Sequence, residues 1–203
     1  MANVSRISGL SPVQYLNGSP WNGQARMYYI PSTDTVAYAI GDPVDIGGSA
    51  DANGVASVVK ATAGNNSGAN MVLGAIVSAG GTKYGSALAD PGNLDTIIVP
   101  ATKTKSYYVM VADDPNIIFQ VQEGGTATAL AAAQVGLNID LASGANNGYL
   151  SGWVLDNAVT STGNGLQMKL LGLRQSSDNA FGAYAKWLCQ INLHRLKSGV
   201  AGV

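Results

Sequence analysis

The sequence predicts an all-β protein: an antiparallel β-barrel or β-sandwich with an extended N-terminal arm and one short helix. Three observations predict it. Short runs rich in β-branched and aromatic residues recur about every 10 to 15 residues, the spacing of a small barrel or sandwich. Glycine fills 26 of the 203 positions, near twice its usual share of about 7%, and it falls between those runs. The stretch Ser106–Gln122 reads as two strands joined by the turn Asp113-Asp114-Pro115-Asn116. In the first strand both faces are apolar or aromatic (Tyr107, Val109, Val111 and Tyr108, Met110, Ala112), so both should be covered. In the second, Ile117, Phe119 and Val121 share a face while Gln120 and Gln122 alternate with them, so one side is expected to be buried. Asp and Asn bond to their own backbone and Pro presets φ, which specifies the turn and predicts a hairpin.

In chain order, residues 1–23 show no periodicity. Gly9, Pro12, Gly18, Pro20 and Gly23 suppress helix and keep the backbone extended. Tyr15, Leu16 and Trp21 on this arm are the candidate partner-contacting anchors, of the kind that interfaces enrich. Two fates are open: the arm packs back on its own domain, or it lies along a neighbouring subunit. Residues 24–203 form the β-rich domain, with a soft boundary near 96–105. Strands are expected at 24–30, 35–40, 44–46, 55–61, 71–77 and 96–99, with flexible loops at 47–54 and 64–68. The polar stretch 79–95 is long enough to read as a contact loop. Residues 127–135 (Ala-Thr-Ala-Leu-Ala-Ala-Ala-Gln-Val) are the one helical candidate, closed by Gly136 at the C′ position. Further strands are expected at 137–141, 149–155, 166–173 and 187–193.

Only 11% of residues are charged against 46% hydrophobic, where about 25% charged is typical. The surface is therefore carried by Gly, Ser, Thr, Asn and Gln, or much of it is hidden in an assembly. A net charge of −1 makes no electrostatic case for a nucleic-acid partner. Both ends are mildly basic: Arg6 and Arg26 precede the first acid, Asp34, and Lys186, Arg195 and Lys197 follow the last, Asp178. Cys189 is the only cysteine, so no disulfide forms within the chain, as expected for synthesis in a reducing cytoplasm. The start lacks an apolar segment of signal-peptide length, and no run reaches the ~18 apolar residues of a membrane span.

Catalytic chemistry finds few candidates. His194 is the only histidine, and strand alternation places it on a polar surface face with Gln190 and Asn192. The opposite face carries Trp187, Cys189, Ile191 and Leu193, so Cys189 reads as a small core residue. One His and one Cys exclude an ordinary zinc site. Asp42, Asp45, Asp51, Asp113 and Asp114 lack the spaced ligand series of a calcium loop and sit where turns want Asp. Glu123 is the only Glu, and no phosphate-binding glycine loop is present. No enzyme activity and no cofactor are expected.

Several stretches then form one series: Asp114-Pro-Asn-Ile-Ile-Phe-Gln-Val-Gln-Glu123, Ala131-Ala-Ala-Gln-Val-Gly-Leu-Asn-Ile-Asp-Leu141, Ser151-Gly-Trp-Val-Leu-Asp156, and Asp178-Asn-Ala-Phe-Gly-Ala-Tyr-Ala-Lys-Trp187 leading to Ile191-Asn-Leu-His194. With the opening Met1-Ala-Asn-Val-Ser-Arg-Ile and Leu16-Asn-Gly-Ser-Pro20, the series resembles tailed-bacteriophage head decoration or cement proteins. The resemblance implies a β-rich subunit, made in the host cytoplasm, that sits on the capsid exterior of the virion. Its implied partners are the major capsid protein and further copies of itself, as a dimer or trimer on symmetry axes, with no membrane and no nucleic acid. It implies no active site. Rival readings are another virion component, in the tail or neck, and a carbohydrate-binding module that stacks sugar on Trp153, Trp187 or Tyr149.

Overall fold

The computed structural model describes residues 3–64, 70–79, 98–125 and 128–197. The chain is all-β. Five strands close a barrel: β2 (Arg26–Ile30), β3 (Pro43–Ala50), β4 (Ala56–Lys60), β5 (Gly74–Ala79) and β6 (Tyr107–Ala112), in the order β2-β4-β3-β5-β6. Neighbours run antiparallel except β2 and β4, which meet in parallel at Tyr29 and Ser57. Six strands form a second sheet: β1 (Ser11–Tyr15), β7 (Ile117–Gln122), β8 (Asn138–Ala142), β9 (Val154–Ser161), β10 (Met168–Leu173) and β11 (Lys186–Ile191). Their order is β1-β7-β11-β10-β8-β9. This sheet curls on itself. The Gly124 N–H donates to Leu155 O at 2.9 Å, so the start of β9 comes back to the end of β7.

The barrel is inserted between β1 and β7. Its entry and exit lie side by side, because Arg26 faces Val111 across the β2–β6 pair and its guanidinium reaches Asp113 at 2.9 Å. Each unit has its own core. In the barrel, Ile30, Val44, Ile76, Val99 and Val111 are shut from solvent; in the sheet, Phe119, Leu141, Leu155, Leu170 and Trp187 are. Ala61, Val72, Ala75 and Ala112 of the barrel pack into the second core, so apolar contact is continuous between the units.

The turn at 113–116 forms as expected, with the Asn116 N–H on Asp114 Oδ1 at 2.8 Å, but the strands it joins do not pair. β6 lies between β2 and β5, and β7 between β1 and β11. The predicted hairpin is the passage from barrel to sheet. Burial is reversed as well. In β6 Tyr107, Tyr108 and Met110 are half-buried, whereas β7 is covered on both faces. Gln122 explains why a glutamine is buried there: its Oε1 accepts the Arg6 N–H at 3.0 Å, and its Nε2 donates to Tyr184 O at 3.2 Å.

Other expectations are corrected. The helix at 127–135 is a single 3-10 turn, Ala132–Gln134 (Ala127 is outside the described residues). Ala131, Ala132 and Ala133 are exposed. A segment this short, with no apolar face to dock, does not repay helix nucleation. Residues 35–40 make two isolated bridges, Tyr38 to Val99 and Ile40 to Leu150, instead of a strand. The loop expected at 47–54 is strand as far as Ala50, then an Asp51–Gly54 turn capped by Asp51. The strand expected at 149–155 begins only at Val154 and runs on to Ser161. The contact loop 79–95 lies, apart from Ala79, outside the described residues.

Residues 3–16 follow β7 along its length. Arg6 meets Gln122, Ser11 pairs with Gln120, Tyr15 pairs with Ile117, and the Leu16 N–H donates to Asn116 O at 2.9 Å. Gly9 allows this path to cross the barrel. It has φ +60°, and a Cβ there would stand 2.2 Å from Gly41 O, the acceptor of the Leu10 N–H.

Candidate interaction surface

Tyr15, Leu16 and Trp21 come together in one tight excursion of the chain. β1 ends at Tyr15, and the chain reverses through Gly18, whose φ of +86° suits the turn. It returns beside β1, with the Tyr15 N–H on Ser19 O at 2.9 Å and the Trp21 N–H on Val13 O at 3.1 Å. Asn17 Oδ1 accepts from both the N–H and the hydroxyl of Ser19, which stiffens the tip. The Tyr15 hydroxyl donates to Asn22 Oδ1 at 3.0 Å, and Trp21 Nε1 donates to Gln24 O at 3.3 Å. Both rings are half-buried against the sheet's core. Leu16 is different: 48% exposed, it offers free apolar surface. Beyond the return strand an open cleft of about 500 Å³ is lined by Gln24, Arg26, Asp113, Asp114 and Pro115.

A second apolar display was not singled out from the sequence. Asn3 grips the loop before β11, donating to Ala180 O at 2.8 Å and Ala183 O at 3.1 Å and accepting the Ala180 N–H at 3.0 Å. Tyr184 sits at φ +63°, a conformation costly for a bulky residue and held here by its surroundings. This frame leaves Val4 60% and Phe181 49% exposed, with the Phe181 ring 5.7 Å from that of Trp187. A phenylalanine within a run of Asp, Asn and Gly was the available signal.

The polar candidates are structural. Asp42 meets Lys60 at 2.8 Å, Asp45 pairs with Arg195, Asp51 accepts from Tyr108 at 2.7 Å, and Asp113 holds Arg26 and Tyr28. Among the described residues no three His, Cys, Asp or Glu side chains group to hold a metal. No described helix is long and apolar enough to cross a membrane. Cys189 is buried, and burial pushes its thiol well above the ordinary range.

His194 corrects the sequence expectation. It is buried, because the chain leaves β11 at Ile191 and turns inward. Glu123 is also fully buried, at the seam between β7 and β9. Its Oε2 accepts from Trp187 Nε1 at 2.9 Å and from the Leu130 N–H at 3.2 Å, and among the described residues Oε1 has no partner. Burial raises its carboxyl, against the lowering effect of those two donors. Trp153 and Trp187 are buried, so neither can stack on a sugar; of the three alternatives that reading offered, Tyr149 is exposed.

Comparison with protein-family models, with curated proteins and with solved structures finds no match.

Proposed function

We propose that this protein is a bacteriophage capsid decoration, or cement, protein that binds the outside of the major capsid protein shell. The observation that carries the reading is the character of its surface. Charge is sparse, at 11% of residues, while Val4, Leu16 and Phe181 stand exposed on locally braced loops. Interface cores are depleted in charge and enriched in aromatics. Side chains already ordered before contact lose less freedom on binding. On a shell with many equivalent sites, modest contacts of this kind add up through avidity. The sequence resemblance to head decoration proteins points the same way.

The direct test is co-sedimentation of the purified protein with heads of its own phage assembled without it. Saturable binding to intact heads, with raised resistance of those heads to heat or chelator, is the expected result. Heads that leave the protein in the supernatant at every concentration refute the reading.

A further inference from the structure

Barrel and sheet are joined at a seam that runs through one turn. Leu193 O accepts the Val72 N–H at 2.9 Å, and the Arg195 N–H donates to Val72 O at 3.0 Å. His194 is thereby bridged in parallel to the segment that enters β5. The Arg195 guanidinium pairs with Asp45 on β3. His194 lies within this seam, 1% exposed, and its Nδ1 accepts the Leu196 N–H at 3.0 Å. A ring nitrogen that accepts a hydrogen bond carries no proton, so the neutral ring keeps its hydrogen on Nε2. Among the described residues Nε2 has no hydrogen-bond partner of normal geometry, though the Asp113 backbone acts on the ring as an acceptor.

A second proton therefore has one place to go, which is Nδ1. There it confronts the Leu196 N–H, donor against donor, and that bond is lost, leaving the Lys197 N–H on His194 O at 3.2 Å as the backbone bond of the turn. The charged groups facing the ring divide. Lys197, on the same turn with its ammonium on Ile191 O and Asn192 O, opposes a positive ring, and so does Arg26 from β2. Asp114 and the Asp113 backbone, from the passage into β7, favour one. Burial exceeds all of these and holds the imidazole down at about 4.

We propose that His194 is an acid-sensitive latch on the barrel–sheet seam. Neutral, it holds residues 193–197 against the barrel; doubly protonated, it breaks the Leu196 bond and frees that segment. The latch does not depend on the capsid role.

As the only histidine in the chain, its ring can be followed alone by NMR. At pH 7 the ring nitrogens should show the Nε2–H tautomer. From pH 6.5 to 4 the Leu196 amide should shift with the ring. Over that range, protection of the Val72 and Arg195 amides from hydrogen exchange, corrected for intrinsic rates, should fall at least about tenfold. In His194→Asn the side-chain oxygen replaces Nδ1 as acceptor and does not titrate, so protection should persist. A ring that titrates at its ordinary value with these amides undisturbed overturns the proposal. Acid opening of the wild-type kind in His194→Asn overturns it too. If that variant does not fold, the wild type decides: ring protonation and loss of Val72 protection must share one midpoint, and separate midpoints overturn it.

Discussion

Glu123 shows how one buried side chain ties local chemistry to stability. Its Oε2 collects Trp187 Nε1 and the Leu130 N–H while Oε1 goes without a partner among the described residues. Because burial raises the carboxyl above its unfolded value, the folded state binds the extra proton between those two values. Stability therefore declines as pH rises through that window. Chemical denaturation across pH should show the decline, and Glu123→Gln should flatten it; an unchanged slope in the variant would refute the assignment. Trp187→Phe keeps most of the apolar bulk but takes one of its two donors from the buried Oε2, and should cost about 2 kcal/mol in the same assay. Leu16 belongs to the surface and calls for a different measurement. Leu16→Asp should leave the melting temperature within a degree or two, since an exposed site away from special features shifts stability by only about 0.5 kcal/mol. On the proposed function it should weaken head binding by about tenfold or more. Equal binding by the variant would remove Leu16 from the interface.

At the scale of elements, β1 is an integral edge of the sheet, so removal of residues 1–23 takes Leu10 out of the core and bares β7. The truncated chain should lose its cooperative melt or aggregate, as size-exclusion chromatography and circular dichroism would show. Gly41→Ala should be nearly as damaging: at φ +88°, its Cβ would stand 2.2 Å from Ser8 O. A loss of about 2–4 kcal/mol is expected from a left-handed position pressed against backbone. The existence of β2, β4, β6, β7, β10 and β11 was legible, because β-branched and aromatic runs bounded by turn residues have few other uses. Pairing was not. The Asp113–Asn116 turn carries ordinary hairpin chemistry, and nothing local says that β6 and β7 each find two better partners elsewhere. Alternation misled at Gln122 and His194 for a related reason: each is buried by a distant segment, residues 4–6 in one case and Val72 in the other. The arm residues Tyr15 and Trp21 were read from type alone, and type does not distinguish a ring that braces its own hairpin from one that faces a partner.

At the scale of the molecule, two β units share contacts through Ala61, Val72, Ala75 and Ala112 and are pinned by the Asp45–Arg195 pair. Barrel and sheet should therefore melt together near neutral pH, giving one calorimetric transition whose calorimetric and van't Hoff enthalpies agree. Two resolved transitions would show that the seam is weaker than its apolar contacts imply. The nested order of the units also has a consequence for biosynthesis. A ribosome releases Tyr15 roughly a hundred residues before Ile117, the residue it must pair with; at elongation rates of about 5–20 residues per second that is a wait of about 5–20 s. Throughout it, the first strand is out in the cell with no mate while the barrel assembles downstream of it, and this interval is when a chaperone has most to shield.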